Sequence, residues 1–234
     1  MVDKWLINAQ TWWLPPRCQL CGARGDDGQD ICHPCRLELP WRGPGCWRCG
    51  EVLTEEGCCG RCQHDPPAFE QSYAVFDYAE PVGHLIHELK FNARLHVARL
   101  LGELMAQDLA ARVVELPDLL IPVPLHARRI RQRGFNQSVE LGRFVARGLG
   151  VAMLRDGCRR LRATAPQVGK SAQARRRNLV AAFGVNADVA GQRVALLDDV
   201  MTTGSTADLL AQTLKRAGAR HVQVWVCARA ARRV

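Results

Sequence analysis

No apolar run in these 234 residues approaches the length of a membrane span, so membrane insertion is not expected. A secretory pattern is also missing: Lys4 precedes Trp5, Leu6 and Ile7, but Asn8, Gln10 and Thr11 break the run and no small-residue cleavage site follows. A cytoplasmic location is the expectation. Aromatic residues are scarce at 6%, which leaves few flat rings on which nucleic-acid bases can stack. Trp5, Trp12 and Trp13 lie in a short amphipathic stretch, expected to pack on the module that follows rather than on a membrane surface.

Cysteine is abundant. Nine of eleven fall from Cys18 to Cys62, eight of them in four Cys-x-x-Cys pairs: Cys18/Cys21, Cys32/Cys35, Cys46/Cys49 and Cys59/Cys62. Two such turns can bring four thiolates to one tetrahedral Zn²⁺. Ten residues separate the first two pairs and nine the last two, enough for the chain to return to the metal. Two structural Zn²⁺ sites in series, over residues 18–35 and 46–62, are the simplest assignment. An interleaved arrangement of the first and third pairs stays open. Disulfides do not suit four regular pairs with no export signal. Cys58 is the spare thiol, because Cys59 has the two-residue spacing to Cys62. Trp41 and Trp47 can supply a small core or a binding face.

Charge is divided unevenly. Residues 1–67 carry seven Lys or Arg against nine Asp or Glu, and residues 68–234 carry twenty-five against fourteen. The second part therefore favours phosphorylated or polyanionic partners. His64-Asp65-Pro66-Pro67 reads as the boundary between a zinc-binding module, residues 1–67, and a larger domain, residues 68–234. Strands are expected at 72–78, 118–122, 180–185, 193–197 and 221–227. Helices are expected from Pro81, over 95–113, over 137–149 and over 205–217. This alternation predicts an α/β domain with a mainly parallel sheet.

The chemistry concentrates at Leu196-Leu197-Asp198-Asp199-Val200-Met201-Thr202-Thr203-Gly204-Ser205-Thr206. A buried strand brings two carboxylates to its carboxyl end, and a hydroxyl-rich turn then opens a helix. Small residues let backbone N–H groups converge on a phosphate at that helix start. The Gly-Lys-Ser/Thr element of a Walker loop is absent, as is the Gly-rich dinucleotide fingerprint. Asp198 and Asp199 can hold sugar hydroxyls or reach Mg²⁺ through water.

This segment resembles the 5-phosphoribosyl 1-diphosphate (PRPP) motif of type I phosphoribosyltransferases. The resemblance implies that Asp198 and Asp199 hold the ribose hydroxyls, while Thr202, Thr203, Gly204, Ser205 and Thr206 cradle the 5-phosphate. Residues 122–138, PVPLHARRIRQRGFNQS, with 85–91, LIHELKF, are similar to hallmarks of the ComF family, as are the cysteine head and residues 167–183. The ending at 222–229 looks most like the GntX branch. The resemblance implies a role in competence, DNA uptake or use of external DNA, with PRPP and Mg²⁺ as ligands and possible phosphoribosyl transfer.

In type I enzymes the loop corresponding to Pro124 and Leu125 receives pyrophosphate, and its prolines are suited to fix an unusual peptide geometry. Arg129 and Arg133, four apart, would lie side by side on a helix, where guanidinium forks suit phosphate oxygens. Lys90 can reach an anion or lie along the surface. Arg175, Arg176 and Arg177 occupy the position of the mobile loop of type I enzymes; the alternative is contact with a nucleic-acid backbone. No residue stands out as a dedicated general base. A non-catalytic protein holding single-stranded DNA, with an uptake or helicase protein as partner, is the second reading. Phe135 and Trp225 are its candidate stacking rings.

Overall fold

A computed structural model describes residues 15–161 and 182–231. Two short helices belong to the cysteine-rich head, α1 (His33–Leu37) and α2 (Gly60–His64). The larger part runs β1 (Gln71–Asp77), α3 (Val82–Asn92), α4 (Leu95–Arg112), β2 (Leu119–Pro122), α5 (Ala127–Arg133), α6 (Gln137–Leu149), β3 (Ala152–Met153) and β4 (Cys158–Arg160). It ends with β5 (Phe183–Val185), β6 (Arg193–Met201), α7 (Ser205–Arg216) and β7 (His221–Arg229). Five strands form one parallel sheet in the order β1-β7-β6-β2-β3, and β4 pairs with β5 in a separate antiparallel ribbon.

The central strands are buried on both faces, as parallel strands between helical layers must be. On one face Ala195, Leu197, Trp225 and Cys227 pack beneath α3, α4 and α6. On the other, Val194, Leu196, Val222 and Val224 meet Ala207, Leu210, Ala211 and Leu214 of α7. That spacing presents one stripe of α7 to the sheet. Helix α6 starts at Asn136, whose side chain accepts from Ser138 N–H, and stops at left-handed Gly150.

The head closes an edge of the sheet. Ser72 N–H donates to Trp47 O, Arg42 N–H to Val75 O and Asp77 N–H to Pro40 O, all along β1. Trp41 packs on Phe76 with ring centroids 4.7 Å apart and donates its indole N–H to Arg36 O. These contacts cover backbone groups that an edge strand otherwise offers to other chains. Trp41 is thus a core residue, while Trp47 is exposed. Cys18, Ile31, Cys32 and Leu39 join the large core itself.

Several expectations meet the structure directly. Strand β6 continues to Met201, so both aspartates lie within it rather than beyond its end. Gly22 and Gly50 are left-handed turns after cysteines, whereas Gly60 opens α2. The prolines at 122 and 124 carry no unusual peptide geometry: the cis bond among the described residues is Glu80–Pro81. Pro122 sits at the last position of β2, where a missing N–H costs the ladder little.

Candidate functional site

Two clusters of four thiols stand in series, Cys18/Cys21/Cys32/Cys35 and Cys46/Cys49/Cys59/Cys62. Cys21 and Cys32 sulfurs are 3.6 Å apart, and Cys49 and Cys59 sulfurs 3.7 Å. Thiolates ~2.3 Å from one tetrahedral Zn²⁺ stand about 3.8 Å from one another, so both clusters fit the ion. The interleaved arrangement is not formed. Burial raises the Cys18 thiol, but N–H groups of Cys21, Cys32 and Leu20 outweigh it and bring it to about 6. Cys46 is likewise brought to about 6, against burial, by N–H groups of Cys59, Cys49 and Arg48. Thiolates are the form that binds metal. Cys58, His33 and His64 stand outside both clusters.

The carboxylates sit at the carboxyl end of β6, where ligands gather in open α/β sheets. Period-two alternation puts Asp199 on the face of Ala195 and Leu197, and Asp198 on that of Leu196. Asp198 Oδ1 accepts from the Ser138 hydroxyl at 3.0 Å and from Asp199 N–H at 2.9 Å. Asp199, 4% exposed, accepts Val200 N–H at 2.8 Å through Oδ1 and ion-pairs with Lys90 through Oδ2. Burial holds the Asp198 carboxyl well above its ordinary range, and the Asp199 charge adds to this against the Ser138 bond.

The turn after β6 is short. Gly204 has φ +80°, and Ser205 begins α7. The hydroxyls of Thr203 and Ser205 are 2.8 Å apart, and Ser205 N–H donates to Thr203 Oγ1 at 3.3 Å. A Cβ on Gly204 would meet only Met201 at 3.6 Å, so backbone conformation, not space, selects glycine. Thr206 occupies the first turn of α7.

Pro124 is buried and Leu125 half-buried in the loop after β2. That loop is fastened to the site: Val123 N–H donates to Leu197 O at 2.8 Å, and the Asn136 amide donates to Val123 O at 3.0 Å. Helix α5 does place Arg129 and Arg133 on one side. They line a recess of about 420 Å³ with Lys90, Phe91, Ala93 and Gln132. Arg133 lies 5.4 Å over the Phe91 ring and hydrogen-bonds Gln137. Burial lowers the Arg133 guanidinium from its ordinary value, with Asp199 opposing and Arg129 assisting. Lys90 and the Arg129/Arg133 pair, read from separate parts of the sequence, therefore share one cationic recess beside the acidic pair.

Arg160 was not singled out. It is lowered by burial and by Arg129, with Asp198 acting the other way, so it stands near both groups. In the sequence it is hidden in a run of basic residues. Arg175, Arg176 and Arg177, like Trp5, Trp12 and Trp13, lie outside the described residues. Phe135 packs against the core and Trp225 is fully buried, so neither offers an open ring. Phe91 is 65% exposed, with Arg133 over its ring and the His87 ring centroid 4.7 Å away.

Comparison with known proteins agrees with this geometry. Residues 9–63 match the family model described as a double zinc ribbon domain. The chain is 40% identical to the DNA utilization protein YhgH of Escherichia coli (strain K12) over 92% of this chain and 98% of that one. Competence protein F of Haemophilus influenzae is 35% identical over 86% and 90%, and competence protein ComFC of Bacillus subtilis 22% over 81% and 80%. A solved glutamine PRPP amidotransferase from B. subtilis, complexed with ADP and GMP, aligns with 55% of this chain and 25% of its own. Its TM-score is 0.40 at 21% identity, which adds nothing to the topology itself. No described helix is long and apolar enough to cross a membrane. With its double zinc ribbon, its parallel α/β sheet and these relatives, the chain belongs to the ComF family.

Proposed function

We propose that this chain binds PRPP with Mg²⁺ at the carboxyl end of β6 and serves the handling of external DNA. The observation that carries the reading is the convergence of Asp198 and Asp199 with a hydroxyl-rich helix start on one side and a cationic recess on the other. In this reading the carboxylates accept the ribose hydroxyls, and the N–H groups of residues 202–206 receive the 5-phosphate. Lys90, Arg129 and Arg133, with the loop at Pro124 and Leu125, face the pyrophosphate. Mg²⁺ bound with PRPP neutralises charge on the leaving group. Residues 1–67 form the zinc module and 68–234 the sugar-phosphate domain.

Phosphoribosyl transfer would break the C1–O bond to pyrophosphate and form a C1–N bond, with the acceptor losing a proton. The described site has no side chain dedicated to taking that proton, so the proposal is of binding. A protection experiment tests it. PRPP with Mg²⁺ should raise the melting temperature more than ribose 5-phosphate or pyrophosphate alone; equal, negligible effects of all three would contradict it.

A second reading, contact with single-stranded DNA, is favoured by the exposed Arg128, Arg129 and Arg131 beside exposed Phe91. Arginines tracking a backbone beside one exposed ring suit a strand without sequence preference. Arg175, Arg176 and Arg177 belong to the same proposal, as does an uptake or helicase protein docked on the zinc module.

A further inference from the structure

Arg229 ends β7 with a side chain only 2% exposed. Its guanidinium faces two parts of the molecule at once. Toward the zinc head, Nε donates to Cys49 O at 3.2 Å, and Nη2 pairs with Glu51 at 3.2 Å. Toward the phosphate loop, Nη1 donates to Thr202 O at 2.6 Å and Met201 O at 3.2 Å, and also to Ala230 O. At least five acceptors thus surround the guanidinium, three of them on Nη1. Cys49 belongs to the second thiol cluster, and Thr202 opens the phosphate loop.

The packing around this contact is close. A Cβ on Gly50, the left-handed turn after Cys49, would lie 3.6 Å from Arg229 Cδ and 3.6 Å from Met201 Cε. Cys49 and Arg61 share a cleft of about 120 Å³ with Met201, Thr203 and Gly204. The second ribbon therefore abuts the loop, with Arg229 between them.

Peptide geometry gives the contact a consequence. In a planar trans peptide the C=O and the following N–H point in opposite directions. Met201 O is held by Ala230 N–H at 3.0 Å as well as by Arg229, and Thr202 O is held by Arg229, which turns the N–H groups of Thr202 and Thr203 away from the guanidinium. Those are two donors that the loop needs for a phosphate. Cys49 O and Glu51 accept from Nε and Nη2 of the buried cation, and an unfolded ribbon would remove both partners.

We infer that Arg229 is a positioning residue of the phosphate loop, through which the second zinc ribbon, and not the first, sets the loop's affinity for a sugar phosphate. The inference rests on the phosphate reading above. The test uses the full zinc-loaded chain, with calorimetric affinity for PRPP and Mg²⁺ and amide hydrogen exchange over residues 201–206 as readouts. Arg229→Gln should weaken PRPP at least about tenfold, or ~1.4 kcal/mol, and speed exchange at Thr202 and Thr203, with two zinc ions retained. Arg229→Lys, which keeps the charge without the fork, should restore only part of the affinity. Cys46→Ser should speed the same amides, and Cys18→Ser should not. Wild-type affinity in Arg229→Gln, or equal loop exchange in the two cysteine variants, would overturn the inference. If Arg229→Gln does not fold, Glu51→Ala and the cysteine variants decide by exchange alone. If the wild-type chain binds no PRPP, the phosphate reading fails, while exchange still reads the tether.

Discussion

Lys90, in the last turn of α3, forms an ion pair with Asp199, inside β6, and so joins the cationic recess to the acidic pair. The lysine side chain is 19% exposed and that of the aspartate 6%. Removing one member of a buried pair leaves the other charged and unpaired, at a cost of about 3–5 kcal/mol when burial is complete. Lys90 keeps some solvent, so Lys90→Met should cost about 2–3 kcal/mol on that scale. Urea unfolding of Lys90→Met, Asp199→Asn and the double variant checks this. The double variant should be more stable than the sum of the single losses predicts; simple additivity would contradict the pairing.

Asp198 gives the ligand-free chain a pH signature. Its folded value is raised, first by burial and then by the Asp199 charge. The folded chain therefore holds a proton that the unfolded chain has released above pH ~3.9. Stability from this group falls as pH rises from there through the folded value. Asp198→Asn removes the dependence. Its melting temperature should exceed the wild type's at neutral pH, with the gap closing toward pH 4. A gap that widens on acidification would contradict the assignment.

Metal analysis should return two zinc ions per chain, and one from either Cys18→Ser or Cys46→Ser. Cys18 packs within the large core, whereas the buried thiols of the second cluster, Cys46, Cys49 and Cys62, form a small separate apolar group with Cys59, Leu53 and Cys58. Melting temperature should accordingly fall further in Cys18→Ser. Cys58→Ser should keep both ions; loss of one would place Cys58 among the ligands.

Binding of single-stranded DNA, if it uses α5, should weaken with salt. Neutralising Arg128, Arg129 and Arg131 together should flatten the log–log slope by about 2, at ~0.7 per phosphate contact. An unchanged slope would remove α5 from the interface, and no binding at low salt would remove the DNA reading.

Much of this architecture is legible locally. The four cysteine pairs declare two metal sites because ligand spacing is a short-range property. Helix α6 declares itself through periodicity and its Asn136 cap, and the β6–turn–α7 unit through periodicity and a hydroxyl-rich turn. What the sequence hides is long-range. Arg229 and Cys49 are 180 positions apart, and nothing near either residue marks the contact. Lys90 reads locally as a helix-end lysine until Asp199 is placed beside it. Arg160 is one basic residue among many until burial distinguishes it. The hydrogen bonds of residues 40–47 to β1 include three between backbone groups, which leave no side-chain pattern to read.

Calorimetry with PRPP and Mg²⁺ tests the central claim most directly, comparing the wild type with the Asp198→Asn/Asp199→Asn double variant. Saturable heat from the wild type, abolished in a double variant that keeps its fold and two zinc ions, is the predicted result. No heat from the wild type, or equal heat from both, would contradict a sugar-phosphate site at Asp198 and Asp199.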